Sequence, residues 1–285
     1  MSNELIQHYL KKASQNGFAI PHFNFNDCWD LQAIVEAADE MRTPIFVASV
    51  MNVCNTLGID LAVAMTKAVA ARAKVPVFLH MDHSSSVELC GRCIEAGYDS
   101  VMIDSSAKSL EENIADTNTV IAMAAARGVH VEAEIGRIRG RDEGEGTYLG
   151  KDYLVQVADA KALVDATNVD ALAIGIGTQH GFYRGKPELN FQRLSEVHRA
   201  IETPLVLHGG TGIPEEDVRH AIQLGISKVN IGTIIRYTYM KGMREEIERV
   251  GPAVHPGLIV APVREQIKSV VRSAIQMCMS ENTAE

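Results

Sequence analysis

Short apolar runs rich in β-forming residues alternate with longer amphipathic stretches along the whole chain, and this alternation constrains the fold more than any other feature. A repeated strand–helix unit is typical of a parallel sheet. The sequence predicts eight strands, at Phe18–Phe25, Pro44–Ser49, Val77–Met81, Ser100–Ile103, His130–Ala133, Ala171–Ile176, Leu205–Leu207 and Lys228–Ile231. The helices predicted between them include Leu31–Met41, Leu61–Ala73, Leu110–Arg127, Tyr153–Ala166 and Pro214–Leu224.

Eight strand–helix units in 285 residues predict an α/β fold of the closed (β/α)8 TIM-barrel type, with an extra helix at the C-terminus. No Ser/Pro-rich linker or low-complexity segment interrupts the pattern, so residues 1–285 are predicted to form one domain. A doubly wound open sheet is the alternative. The glycine-rich, charged segment Gly136–Gly150 is of the length and kind typical of a mobile lid or a disordered loop.

The overall composition argues against several classes of partner. A formal charge of −9 does not suit a nucleic acid or an anionic membrane, because both attract basic surfaces. No apolar run approaches the roughly 18 residues of a membrane helix, and the N-terminus does not resemble a signal peptide. Five cysteines without a disulfide pattern favour a reducing cytoplasm. The Cys90–Cys93 pair is interpreted as two thiols on a helix face rather than a redox or metal site.

Polar residues occur where the predicted strands end, and in a barrel these ends meet on one face. They are Asn24, Asp82, His83, Asp104, Glu134, Gln179, His180, His208 and Asn230. Three of them are histidines from three different strands. Three imidazoles with one open position are a typical catalytic zinc site. His80 is expected to have a structural or supporting role.

Two glycine-containing turns predict a phosphate site. Gly209–Gly212 follows strand seven, and Asn230–Thr233 follows strand eight. Glycines let backbone N–H groups approach an anion, and a helix N-terminus favours negative charge. The loops after strands seven and eight are the usual phosphate site of this barrel.

At these residues the chain resembles the class II (zinc) fructose/tagatose-bisphosphate aldolase family. The similarity extends from residue 18 to residue 236 in family order. The matching blocks are Pro21–Asn24, His80–His83, Val101–Asp104 with Glu111–Ile114, Val131–Gly136, Ala173–Gly181, Leu207–Gly212 and Lys228–Thr233.

The resemblance implies a lyase that cleaves a ketose phosphate between C3 and C4. His83, His180 and His208 would hold Zn²⁺, with Glu134 as an alternate ligand and Asp104 supporting the ligands. Asp82 would be the acid/base at the C4 hydroxyl, and Asp142, with Glu143 beside it, would act at C3. The C1 phosphate would contact Asn24, Gly181, Arg184, Gly209, Thr211, Asn230 and Thr233. A sodium or potassium ion near this phosphate and a homodimer or homotetramer are also typical of the family.

Three departures from the family pattern concern the far end of the substrate. His255-Pro256-Gly257 replaces an Asp-Pro-Arg whose arginine binds the distal phosphate, Gly232 replaces an aspartate, and Val50 replaces a serine or threonine. Arginines elsewhere could bind a distal group, namely Arg137, Arg139, Arg141 and Arg236. We hypothesise a sulfonate, a carboxylate or an uncharged tail, with 6-deoxy-6-sulfofructose 1-phosphate as one case. The alternative is a fructose or tagatose 1,6-bisphosphate aldolase in which one of these arginines replaces the missing one.

Three other functions fit the residues at the predicted strand ends less well than a zinc-dependent aldolase does. A Schiff-base aldolase requires a lysine at the C-terminal end of a strand, whereas Lys228 is predicted to begin strand eight. A zinc hydrolase on this barrel would have two histidines on strand one, which offers only His22. A companion subunit without activity would be expected to have lost metal ligands or Asp82.

Overall fold

Parallel strands and helices alternate through the protein, whose computed structural model describes residues 2–138 and 153–284. In these residues the strands are β1 (Ile20–Asn24), β2 (Ile45–Ser49), β3 (Val77–Ser84), β4 (Ser100–Ile103), β5 (His130–Ile135), β6 (Ala171–Ile174), β7 (Leu205–Leu207) and β8 (Ile226–Ile231). Each strand pairs in parallel with the next one along the chain, and β8 pairs with β1. The predicted closed (β/α)8 barrel is confirmed.

The helices surround this barrel and extend it at both ends of the chain. They are α1 (Ser2–Asn16), α2 (Cys28–Glu40), α3 (Met51–Leu57), α4 (Ile59–Ala70), α5 (Val87–Ala96), α6 (Leu110–Ala125), α7 (Val157–Thr167), α8 (Phe191–Ala200), α9 (Glu215–Gln223), α10 (Thr233–Val250) and α11 (Pro256–Met277). Reciprocal capping boxes define the starts of α2, at Asp27 and Asp30, and of α6, at Ser109 and Glu112. The predicted extra C-terminal helix is α11, which packs against α10 and α2.

Side chains alternate between the two surfaces of the barrel because successive residues of a strand point to opposite sides. Outward residues such as Phe23, Val47 and Leu79 pack beneath the helices. Burying each such side chain contributes roughly 1.5–3 kcal/mol. Inward residues at the bottom form an apolar plug with α1, in which Leu10 packs with Phe46, Phe78, Met102 and Val206.

Above this plug the barrel interior becomes polar. Its fully buried ionisable side chains include those of His22, His80, His130, Glu132 and Lys228. The polar residues of the candidate site lie one step higher, at the C-terminal ends of the strands. The fold therefore places an apolar base, an ionisable middle and a solvent-facing site along one axis.

Some element boundaries differ from the sequence prediction. The helix predicted from Tyr153 begins at Val157, because residues before it follow the barrel edge: Arg137 N donates to Tyr153 O, and Val155 N donates to Gly175 O. Cys90 and Cys93 both lie buried on α5. None of the described helices could cross a membrane by itself; only α3 and α4 together, bent by 96°, have the length and composition.

Candidate active site

Three histidines meet at the C-terminal end of the barrel, as the sequence predicts. His83 lies on β3, while His180 and His208 follow β6 and β7. One ring nitrogen from each lies within 4.8 Å of the others, and His83 Nε2 lies 2.7 Å from His208 Nδ1. Imidazole nitrogens converging from three strands are suited to hold one zinc ion.

An irregularity in β3 brings two adjacent residues into the site. Alternation points His80 and Asp82 into the barrel and would turn His83 outward. The pairing of β3 with β4 shifts between Met81 and Ser84, and His83 adopts a left-handed φ of 51°. Such a bulge re-aims a side chain. Asp82 and His83 therefore both reach the site.

Glu132 and Lys228 hold His208 from below. Glu132 Oε1 lies 2.8 Å from His208 Nε2, and Glu132 Oε2 lies 2.6 Å from Lys228 Nζ. A carboxylate can only accept, so His208 carries its ring proton on Nε2 and keeps the Nδ1 lone pair for a metal. The nearby Lys228 charge opposes the effect of burial and keeps the pKa of Glu132 well below its usual range.

This arrangement corrects the sequence interpretation of Lys228. β8 begins at Ile226, so Lys228 is the third residue of the strand and is fully buried inside the barrel. Its ammonium is neutralised by Glu132 and lies 4.9 Å from the centre of the Phe46 ring. Sequence reasoning also missed Glu132, although its spacing of two from Glu134 indicates the same inward face of β5.

Carboxylates surround the outer side of His83. Its Nδ1 lies 3.2 Å from Asp104 Oδ2 and 3.7 Å from Glu134 Oε2. Burial lowers the pKa of His83, but the Asp82 charge, the Asp104 hydrogen bond and Glu134 together raise it to about 10. The site thus favours positive charge. His83, Asp104 and Glu134 form a second group of converging metal-ligand atoms.

Asp82 is held in a fixed orientation at the edge of the histidine cluster. Asn24 Nδ2 donates to its Oδ2 at 2.8 Å, and Asn230 Nδ2 donates to its Oδ1 at 3.3 Å. His22 Nε2 lies 3.7 Å behind Oδ2. Burial raises the pKa of Asp82, but the surrounding imidazoles, His83 first, bring it well below the usual range. Asp82 is therefore an ionised carboxylate held in one orientation.

An open cavity lies over these residues. Most of the predicted phosphate-binding residues line it, namely Asn24, Gly181, Gly209, Thr211, Asn230 and Thr233. Glycine is required at position 209, because φ is 71° and a Cβ would lie 2.4 Å from Gln179 O. α10 begins at Thr233 and directs its N-terminal dipole toward this wall. Arg184 is exposed and does not line the cavity.

The far wall of the cavity has a different character. It includes Val50, Met51, Val53 and the exposed Arg236. Ser49 does not replace the missing hydroxyl there, because its Oγ is buried and lies 2.7 Å from Tyr98 Oη. Asn26, Asn52 and Ser85 also line the cavity, and no motif in the sequence singles them out.

The segment predicted to form a lid is only partly described. Arg137 is held near its base, where its guanidinium donates to the carbonyl oxygens of Ser106 and Ala107. Asp142 and Glu143, predicted to act at C3, and Arg139 and Arg141 lie outside the described residues.

Comparison with known proteins agrees with this geometry. The family model "Fructose-bisphosphate aldolase class-II" matches residues 4–283. A probable fructose-bisphosphate aldolase from Bacillus subtilis (strain 168) is 37% identical over 281 residues, which cover 96% of this chain and 97% of the relative. The crystal structure of the YdjI aldolase from Escherichia coli K12 has a TM-score of 0.86 and 30% identity, covering 98% of each chain. A putative fructose-1,6-biphosphate aldolase from Coccidioides immitis has a TM-score of 0.89 and 29% identity, covering 97% of this chain and 96% of the other.

Proposed function

The chain belongs to the class II fructose-bisphosphate aldolase family, a family of zinc-dependent lyases, and from this we propose that it cleaves a ketose 1-phosphate reversibly between C3 and C4. The products would be dihydroxyacetone phosphate and an aldehyde. The observation that carries the proposal is the convergence of His83, His180 and His208 beside the oriented carboxylate of Asp82.

The donor set fits zinc. His208 offers Nδ1 because Glu132 occupies its Nε2, and His83 offers Nε2 because Asp104 occupies its Nδ1. We assign His83, His180 and His208 as the ligands, with Glu134 as an alternate ligand. Zinc bound by these residues would supply a Lewis acid for the C2 carbonyl of the substrate. A sodium or potassium ion near the phosphate stays a prediction.

Asp82 would accept the proton of the C4 hydroxyl. As that proton leaves, the C4 oxygen forms the aldehyde carbonyl, and the electron pair of the C3–C4 bond passes to C3. The amides of Asn24 and Asn230 keep Asp82 from rotating away during this step. A carboxylic acid must then protonate C3, and we propose Asp142 or its neighbour Glu143 for that role.

The glycine-rich wall would hold the C1 phosphate. Its members Gly181, Gly209, Thr211, Asn230 and Thr233 line the same cavity as the histidines and Asp82. The N-terminus of α10 favours an anion at this place. Phosphate binding here would put C2 and C3 near the metal ligands, which orients the bond to be cleaved. Arg184 is retained as a predicted contact from outside the cavity.

The two candidate functions differ in the distal group of the substrate, which is either a 6-phosphate or another tail. Val50 at the cavity wall and Ser49, whose buried hydroxyl is bonded to Tyr98 and faces away from the cavity, favour a tail other than an ordinary 6-phosphate, such as the sulfonate of 6-deoxy-6-sulfofructose 1-phosphate. Arg236 at the same wall, together with the names of the relatives, favours fructose or tagatose 1,6-bisphosphate. Both candidates share the dihydroxyacetone phosphate half.

Steady-state kinetics on a panel of ketose 1-phosphates would separate the two candidates. The panel contains fructose 1,6-bisphosphate, tagatose 1,6-bisphosphate, 6-deoxy-6-sulfofructose 1-phosphate and fructose 1-phosphate. The highest kcat/KM on either bisphosphate would rule out the non-phosphate tail. The highest kcat/KM on the sulfonate would support it.

The cellular location and the number of subunits are further predictions. We expect a cytoplasmic enzyme that forms a homodimer or a homotetramer. The presence of all three candidate zinc ligands together with Asp82 supports a catalytic chain over a companion subunit. Size-exclusion chromatography with light scattering would measure the number of subunits.

A further inference from the structure

His180 differs from the other two candidate zinc ligands in what orients its ring. The ring of His83 is bonded to Asp104, and the ring of His208 is bonded to Glu132. In the described part of the chain, no side chain is hydrogen-bonded to the imidazole of His180. A histidine that binds a metal usually has such a partner at its other nitrogen. The position of His180 therefore depends on the backbone of the turn that carries it.

The hydroxyl of Tyr183 joins this turn to the turn that follows β7. Gln179 N lies 3.1 Å from Tyr183 Oη, and Tyr183 Oη lies 3.1 Å from Gly209 O. A backbone N–H can only donate and a carbonyl oxygen can only accept, so the hydroxyl accepts from Gln179 and donates to Gly209. Gln179 directly precedes His180, and Gly209 directly follows His208. One oxygen atom thus connects the neighbours of two candidate ligands.

The two turns are packed closely at the place that Tyr183 connects. A Cβ at position 209 would lie 2.4 Å from Gln179 O, so the two backbones are in direct contact there. The ring of Tyr183 packs against the hydrophobic core, which holds the hydroxyl in place. Burial raises the pKa of Tyr183 to about 12, so at neutral pH the hydroxyl keeps the proton that it donates.

We propose that Tyr183 is a positioning residue for the zinc site, whose hydroxyl sets the spacing between His180 and His208. The ring centres of these two histidines lie 6.3 Å apart, and His83 lies between them, 4.6 Å and 4.5 Å from each. Their separation therefore follows from the backbones of the two turns. This inference rests on the proposed role of the three histidines as zinc ligands. It adds that a tyrosine with no contact to the metal keeps two of them in place.

Tyr183→Phe is the direct test, because it removes the connecting oxygen and keeps the ring. The N–H of Gln179 and the carbonyl of Gly209 then both lose their partner. In competition with a chromogenic chelator, the zinc affinity of the variant is expected to be about tenfold lower than that of wild type, as for loss of other groups that orient metal ligands. The visible absorption spectrum of the Co²⁺-loaded variant should also change, because this spectrum depends on the coordination geometry of the ion.

Tyr9→Phe is the matched control for the loss of a phenol-to-carbonyl hydrogen bond. Tyr9 Oη donates to Ala284 O at 2.9 Å, and Tyr9 belongs to the apolar plug at the opposite end of the barrel. Urea unfolding of EDTA-treated protein should reveal a loss of stability in both variants. Only Tyr183→Phe should also have a lower zinc affinity and a changed Co²⁺ spectrum. The difference between the two variants separates positioning of the ligands from a general effect on folding.

Two results would overturn the proposal. One is a folded Tyr183→Phe protein with wild-type zinc affinity and an unchanged Co²⁺ spectrum. The other is an equal loss of zinc affinity in Tyr183→Phe and Tyr9→Phe. Failure of the proposed function would be seen separately, as a zinc-loaded wild type that releases no dihydroxyacetone phosphate, and the comparison of zinc affinities does not depend on that release.

Discussion

The Nε2 atom of His208 lies 2.8 Å from the Oε1 atom of Glu132, inside the barrel and below the site. Glu132 in turn pairs with Lys228 at 2.6 Å. This buried chain fixes which nitrogen of His208 carries the proton and directs Nδ1 toward His83. The geometry of the candidate metal centre thus depends on a carboxylate that contacts neither metal nor substrate.

Replacing Glu132 by glutamine is expected to weaken zinc binding. The amide cannot supply the negative charge that orients His208 and balances Lys228, and loss of such a partner typically reduces metal affinity about 10–100-fold. Competition with a chromogenic chelator would measure the affinity. Glu95→Gln, at an exposed position of α5, is the control. A folded Glu132→Gln protein with wild-type zinc affinity would disprove the orienting role.

Removing the carboxylate of Asp82 should abolish most turnover without removing the metal. We expect Asp82→Ala to lower kcat by about 10²–10⁴-fold, the usual contribution of an acid/base group. Zinc content, measured by elemental analysis, should equal that of wild type. Asp60→Ala, at an exposed carboxylate on α4, should behave like wild type. Full turnover by zinc-loaded Asp82→Ala would remove the acid/base assignment.

Arg236 is predicted to recognise an anionic distal group. Arg236→Met should lower kcat/KM by about 10–100-fold on 1-phosphates with a charged tail, because a charge-assisted contact to the tail is lost. The value for fructose 1-phosphate, whose tail is uncharged, should stay within twofold. Arg244→Met on the exposed surface of the same helix serves as the control. Equal losses on every substrate would argue against tail recognition.

Buried histidines should make the apoprotein sensitive to acid. Burial lowers the pKa of His130 to about 4, whereas an unfolded histidine has a pKa of about 6.5. Between these values the unfolded chain binds a proton that the folded chain excludes, so the free energy of unfolding falls as pH decreases. His22 acts in the same direction, because burial and the Lys228 charge lower its pKa to about 3.

Urea unfolding of EDTA-treated protein at pH 7 and pH 5 would measure this effect. From pH 7 to pH 5, His130 should account for about 2 kcal/mol of lost stability. His130→Gln should therefore lose about that much less than wild type over the same interval. If both proteins lose stability equally, His130 does not contribute.

Much of the fold and part of the site could be predicted from the sequence, because strand and helix periodicities are local. The alternation of elements gave the barrel, and strand ends gave the three histidines, since all strands of a barrel end on one face. The inward direction of His83 could not be predicted in this way. It depends on a bulge in β3, which tertiary pairing with β4 stabilises.

Contacts between side chains that lie far apart in the sequence could not be predicted from the sequence pattern either. Glu132 and Lys228 belong to β5 and β8, and only closure of the barrel brings them together. β8 starts two residues earlier than predicted, so Lys228 lies inside the barrel and not at the beginning of the strand. Similarly, the close approach of Asn24 to Gly232 depends on the pairing of β1 with β8.

The most direct test of the central claim is the release of dihydroxyacetone phosphate from the best ketose 1-phosphate, followed before and after removal of zinc. EDTA treatment is expected to abolish this release, added Zn²⁺ to restore it, and borohydride to trap no substrate on the protein. Undiminished release after complete removal of the metal, or a borohydride-stable bond between substrate and a lysine, would contradict it.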